Sequence, residues 1–322
     1  MAERDPSGAS KGIVVWRSQV SAFQSCCGTL AGTPARADGC PPPPRPITRL
    51  GGHVSTRDNG ATSRRRRWQV ALLPFATVGL VAAGLVVTQT GAQAATWPTA
   101  KSTTTVTSTQ SISGTRDFGL VRYKAGGAMG DGGQSESQKP IFELADGATI
   151  KNVIIGSPAA DGIHCKGSCT LINVWWEDVG EDAATFKGGS SANYTVDGGG
   201  ARSASDKVFQ HNGGGKLTIK NFDVSNFGKL YRSCGNCSTQ YKRTVVIQNV
   251  TVTAPGKVLA GINTNYGDTA TFSGITIYGD SSRKISICDR YTGNSSGAEP
   301  VKTGSGPDGT YCKYTSSNIV YR

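Results

Sequence analysis

The sequence predicts an all-β protein, a single-domain right-handed parallel β-helix in which the chain winds through stacked coils of short strands. Three observations carry this. Short alternating segments recur: TIKNVII at 149–155, TLINVWW at 170–176, a degenerate YTVDGGG at 194–200, TIKNFDV at 218–224, VIQNVTV at 246–252 and TFSGITI at 271–277. Their turn positions, Asn152, Asn173, Asp197, Asn221, Asn249 and Gly274, lie 21, 24, 24, 28 and 25 residues apart, which is a repeat period. The chain also holds 43 glycines and almost no helix-forming run, so the alternation has the period of a strand rather than a helix. Leucine-rich repeats share the period but would show several leucines per coil, where this chain has β-branched residues. A β-sandwich is the remaining alternative.

Taken in chain order, residues 1–60, with PPPPRP at 41–46 and no periodicity, are expected to be a disordered extension or a mis-called start, with Val54 as an alternative initiator. Residues 61–95 have the form of a secretory signal. RRRR at 64–67 precedes the apolar run VALLPFATVGLVAAGLVV at 70–87, and AQA at 92–94 offers the small residues of a cleavage site. A transmembrane anchor is the competing reading, disfavoured by Pro74, the glycines and the A-x-A. The arginine run leaves twin-arginine export open beside the general secretory route. Residues 96–110 form a Ser/Thr-rich linker or N-terminal cap, and 111–322 the β-helix domain.

The formal charge of +12 changes meaning when the chain is divided. Residues 1–94 hold 11 Lys+Arg and 4 Asp+Glu, leaving 34 − 11 = 23 and 22 − 4 = 18 for the remainder, a net +5. That modest charge on an exported chain gives no reason to expect nucleic-acid binding or stable membrane insertion, and it suits a polyanion outside the cell. Six of the nine cysteines lie in this part, and spacing suggests disulfides Cys165–Cys169, Cys234–Cys237 and Cys288–Cys312, although six cysteines allow other pairings. A four-cysteine zinc site is the alternative.

EDVGEDAATFKGG at 177–189 crowds Glu177, Asp178, Glu181 and Asp182 into six positions. Like charges this close raise one another's pKa unless a cation sits among them, and a hard divalent ion such as calcium prefers carboxylate oxygens. In a solenoid, residues one coil apart stack about 5 Å from each other. Asp161 precedes Glu181 and Asp182 by 20 and 21 residues, Asp206 and Lys207 follow Asp182 by 24 and 25, and Lys229 and Arg232 follow Lys207 by 22 and 25. One face is therefore expected to carry acid, acid, base, base in successive coils.

DGIHCKGSCTLINVWWEDVGEDAATFKG at 161–188, SDKVFQHNGGG at 205–215 and GKLYR at 228–232 resemble the family 3 polysaccharide lyases, extracellular pectate lyases with a parallel β-helix fold. The resemblance covers roughly 105–322. It implies a secreted, monomeric enzyme that cleaves polygalacturonate by calcium-dependent β-elimination. By similarity, Asp161, Glu181 and Asp182 are calcium ligands, Lys207 is the base with Arg232 as runner-up, and Lys229 and Arg232 bind substrate carboxylate, with Lys187 as an additional groove residue. Lys207 is expected to be exposed, with a pKa depressed by calcium and neighbouring cations. His164 is expected to be packed or hydrogen-bonded rather than a ligand. Of Trp175 and Trp176, which face opposite ways, one is expected in the core, leaving the other free for sugar. The SCGNCSTQ stretch at 233–240 departs from the simplest family members and bears on how Arg232 is positioned, while the tail ICDRY to YCKY is expected to clasp the last coil. A β-helix polysaccharide hydrolase and a non-catalytic acidic-polysaccharide-binding solenoid are the alternative functions.

Overall fold

The computed structural model describes residues 96–322, so the expected extension and signal segment lie outside the described residues. The strands are β1 Thr103–Val106, β2 Gln110–Ile112, β3 Thr115–Ala125, β4 Phe142–Leu144, β5 Ala148–Ile155 and β6 Ile163–Cys165. There follow β7 Cys169–Trp176, β8 Ala184–Phe186, β9 Asn193–His211, β10 Gly215–Ser233 and β11 Arg243–Asn263. The chain ends with β12 Thr269–Tyr278, β13 Ser286–Thr292, β14 Val301–Ser305, β15 Cys312–Lys313 and β16 Ile319–Tyr321. Among the described residues there is no α-helix, and none forms a helix long and apolar enough to cross a membrane.

Every pairing is parallel except β13 with β14, and the strands stack as a β-solenoid. One face runs β1-β3-β5-β7-β9-β10-β11-β12. The other runs β2-β4-β6-β8 and continues through the C-terminal parts of β9, β10 and β11 to β13. Between them, identical positions of successive coils stack into apolar columns. Ile150, Leu171, Val196, Ile219, Ile247 and Phe272 form one, and Phe142, Ile163, Ala184, Phe209, Tyr231, Ala260 and Cys288 another, all fully or nearly fully buried. Each large aliphatic side chain buried this way stabilises the fold by about 1.5–3 kcal/mol before the entropy of ordering is subtracted.

The turn positions read from the sequence take the left-handed conformation at Asn152, Asn173, Asn221, Asn249 and Gly274, with φ between 52° and 63°. Asn tolerates this region because its side chain bonds locally, and here it also bonds between coils: Asn173 donates to Asn152 Oδ1 at 2.8 Å. Asp197 departs from the expectation. Its register partner is Ile172, so the turn falls on Gly198, at φ 72°. Asp197 instead accepts a hydrogen bond from Asn221 at 2.7 Å. The second glycine of the run is required sterically, since a Cβ on Gly199 would collide with the Val174 carbonyl.

Residues 96–110 enter the sheet, with β1 in register with Arg122–Ala125. Trp97 packs edge-on against Trp175 with ring centroids 5.0 Å apart and carries the Arg202 guanidinium on its face at 4.3 Å. Trp176 is the core tryptophan, buried against Phe209 and Phe222. Trp175 is not free for sugar, because Trp97 covers it. Three disulfides form with the expected pairs, Cys165–Cys169, Cys234–Cys237 and Cys288–Cys312.

Candidate active site

Four successive coils build the site. Register aligns Ile163 with Ala184, Ala184 with Phe209, and Phe209 with Tyr231. Asp161, Asp182, Lys207 and Lys229 each stand two residues before these partners, and Lys207 and Lys229 are themselves register partners. Val208–Phe209 and Leu230–Tyr231 are consecutive fully buried pairs, which marks a corner in each strand. The corner lets the preceding lysine leave the core while the residue two positions on enters it.

The four crowded carboxylates separate. Glu177 forms a two-pronged pair with Arg122, both contacts 2.7 Å, and Asp178 accepts from Ser157 at 3.0 Å. Glu181 and Asp182 turn inward to meet Asp161, with one carboxylate oxygen from each within 4.8 Å of the others. All three are buried, and Asp161 Oδ1 and Asp182 Oδ1 are enclosed without a hydrogen-bond partner. Burial pushes the Glu181 carboxyl up to about 7, opposed by Lys207 and assisted by the charges of Asp161 and Glu136. The Asp182 carboxyl is raised in the same direction and chiefly by burial. Three acids, two enclosed oxygens without a hydrogen bond and no nitrogen or sulfur donor make a cluster that fits a hard divalent cation.

Lys207 stands against this cluster, its side chain only 12% exposed, with the ammonium 3.4 Å from Glu181, 3.6 Å from Asp182 and 3.0 Å from Asp206. Burial alone would lower its pKa, but Asp182, Asp206 and Glu181 together outweigh burial, and the net direction is upward. The side chain is thus enclosed rather than exposed as expected, and the protein's own acids alone would hold its proton. Asp206 bridges the two lysines, accepting from Lys229 at 2.7 Å, and despite burial these bonds hold its carboxyl below the usual range.

Arg232 is different. It lines, with Lys207, Lys229 and Asp206, a groove of about 350 Å³ whose walls include Glu136, Tyr291 and Glu299. Its guanidinium is buried, donates from Nη1 to Asn263 Oδ1 at 3.1 Å, and lies 4.1 Å from the centre of the Tyr291 ring. Nη2 has no hydrogen-bond partner, and none of the ion pairs among the described residues includes Arg232. Burial lowers its pKa from the ordinary arginine value.

Comparison with known proteins places this arrangement. The family described as pectate lyase matches residues 94–298. A probable pectate lyase E of Neosartorya fischeri is 52% identical over 218 residues, covering 67% of this chain and 83% of that protein. Pectate lyase E of Emericella nidulans is 49% identical over 219 residues, covering 68% and 84%. The chain belongs to the pectate lyase family. Among solved structures, the catalytic domain of the pectate lyase PelI from Erwinia chrysanthemi matches with a TM-score of 0.60 at 36% identity, over 68% of this chain and all of that one. PelI in complex with tetragalacturonic acid matches with a TM-score of 0.58 at 38% identity, over 66% and 69%. The chain is therefore a polysaccharide lyase of the pectate lyase family on a parallel β-helix.

On this pectate lyase scaffold the structure brings Asp161, Glu181, Asp182, Lys207, Lys229 and Arg232 to one face. Lys187 is not among the side chains lining the groove around Arg232. Its ammonium meets His164 Nδ1 at 3.1 Å, and His164 Nε2 meets Asp161 Oδ2 at 2.6 Å. His164 is buried and hydrogen-bonded, as expected, and backs an acid of the cluster. Sequence reasoning missed Asn263, Tyr291, Glu136 and Glu299. Tyr291 belongs to ICDRY, a segment whose cysteine had already given it a structural role, and Asn263 carried no motif at all.

Proposed function

We propose that the protein is a secreted, calcium-dependent pectate lyase that cleaves α-1,4-linked polygalacturonate by β-elimination and releases 4,5-unsaturated oligogalacturonates. The observation that carries this reading is the contact between the all-oxygen acid cluster and Lys207, 3.4–3.6 Å, in one row with Lys229 and beside an arginine with no acid partner. A hydrolase would need carboxylates flanking the scissile bond and no basic proton acceptor.

Asp161, Glu181 and Asp182 would hold calcium, which when bound supplies stabilisation of the uronate carboxylate as negative charge builds beside it. Lys207 Nζ, in its neutral form, takes the proton from carbon 5. The pair from that C–H bond forms the C4=C5 double bond, and the glycosidic oxygen leaves carbon 4 with its bonding pair and takes a proton from solvent water, while Lys207 later returns its own proton to solvent. Lys207 becomes neutral more readily when the charge of Glu181 and Asp182 is otherwise compensated, because those two acids, with Asp206, are what hold its proton. Lys229 and Arg232 bind and orient substrate carboxylates, and Arg232 does so with its charge unspent. Such preorganised cations are worth more in a groove shielded from water than on an open surface.

Export fits the three disulfides, which persist in an oxidising compartment. The test is the ultraviolet absorbance of the conjugated product on polygalacturonate, with and without chelator. Absorbance that grows undiminished in chelator contradicts the role of calcium, and new reducing ends without absorbance indicate hydrolysis. A charged groove also favours unesterified polymer, so equal rates on highly methylated pectin would contradict the assignment of Arg232.

A further inference from the structure

The three basic groups of the groove are held in two different ways. Lys207 and Lys229 share Asp206, and Lys207 also faces Glu181 and Asp182, so both reside among negative charge. Arg232 is buried with no carboxylate within ion-pair distance among the described residues. An unpaired buried charge is costly, and a chain tolerates one where its placement is fixed by other means.

Here the other means are visible. Asn263 is fully buried, its backbone N–H donates to Asp268 Oδ2 at 3.0 Å, and its Nδ2 donates to the Cys234 carbonyl at 2.9 Å. Its remaining acceptor, Oδ1, is thereby aimed at Arg232 Nη1. The Tyr291 ring covers one face of the guanidinium. Two glycines make room for it. A Cβ on Gly235 would come within 2.6 Å of Arg232 Nη2, and a Cβ on Gly261 within 3.0 Å of Arg232 Cδ. Gly235 lies inside the Cys234–Cys237 loop, so the inserted stretch forms part of the slot.

We infer that Asn263 and Tyr291 are positioning residues for Arg232, holding its guanidinium by one neutral acceptor and one ring face so that its charge stays uncompensated until a substrate carboxylate arrives. Both partners are chemically suited to this. An amide oxygen accepts a hydrogen bond without cancelling charge, and an aromatic face attracts a cation without offering a competing carboxylate. The inference rests on the proposed reading of the groove as a uronate site.

The experiment measures KM and kcat on polygalacturonate for Asn263→Asp, Tyr291→Leu and Tyr291→Phe, each also in an Arg232→Ala background. Asn263→Asp conserves volume but gives Arg232 a permanent partner, so KM rises on the order of 10-fold while kcat changes much less. Tyr291→Leu raises KM similarly, and Tyr291→Phe, which keeps the ring face, restores it. In the Arg232→Ala background neither change moves KM further. An unchanged KM in Asn263→Asp, or the same rise without Arg232, overturns the inference while the enzyme remains a lyase. A wild-type protein that releases no unsaturated product overturns the reading of the groove and the inference with it.

Discussion

Replacing Lys207 by alanine separates two roles that the side chain combines. Its ammonium is the cation nearest Glu181 and Asp182, both almost fully enclosed, and it shares Asp206, whose side chain is 43% exposed. The exposed partner contributes little, since ion pairs open to water are worth about 0–1 kcal/mol. The enclosed pair matters more, because removing one partner of a buried ion pair costs about 3–5 kcal/mol. Glu181, whose carboxyl already sits near 7, relieves part of this by taking up a proton. The loss at neutral pH is then about 3 kcal/mol, a fall in Tm of about 6–12 °C for a domain of this size, smaller in acid and larger as pH rises. Turnover falls by about 10²–10⁴, the scale of a lost general base. Differential scanning calorimetry and the ultraviolet assay, each run across a calcium titration, check both. Calcium is expected to return the stability, because it replaces the missing positive charge, and to leave turnover low. Recovery of turnover together with stability, or a turnover above about a tenth of wild type in alkaline buffer, would refute Lys207 as the base and move the role to Arg232.

Asp182→Ala is expected to raise the calcium required for half-maximal activity, with partial rescue by excess calcium in the same assay. Replacing Cys288 and Cys312 together by serine opens a loop of 24 residues and should lower stability by about 3 kcal/mol, read as a lower melting temperature with the acid cluster's calcium affinity retained. Asp308 gives the C-terminal clasp an acid sensitivity. Burial works to raise its pKa, but Arg290 and the backbone N–H groups of Cys312, Tyr311 and Thr310 win and bring it to about 2. Its folded value lies below the unfolded one, so its contribution is present above the ordinary 3.8 and lost as pH falls toward 2. The hydrogen-exchange protection of residues 308–314, taken relative to the intrinsic rate at each pH, should therefore fall over that window in wild type and be already low, without that step, in Asp308→Asn.

The coils were legible because their turns need left-handed backbone, which restricts the residues that can stand there, and because strand alternation repeats with those turns. The acid cluster was legible for a related reason: one period separates Asp161 from Glu181 and Asp182, and stacking converts that separation into contact. What could not be read was burial at a given depth. Lys207 looks like a surface lysine in sequence, and only the fold reveals that acids from two coils enclose it and hold its proton. Glu177 could not be told from Glu181, since its partner Arg122 lies 55 residues earlier and no local pattern links them. Asn263 and Tyr291 were invisible because positioning a neighbour's side chain imposes no spacing of its own.

The register between β9 and β10 sets Lys207 beside Lys229 however long the chain between their coils becomes. Coil lengths vary from 21 to 28 residues between successive turn positions, and the differences are taken up at register shifts such as that between Ser225 and Phe227 and in loops such as 233–242. The site is thus graduated like a ruler, with marks about 4.8 Å apart fixed by backbone pairing rather than by side chains. Insertions at the corners can reshape the groove walls and leave the marks in place, whereas gaining one whole coil between Asp182 and Lys207 would put the acids and the base on marks that no longer adjoin.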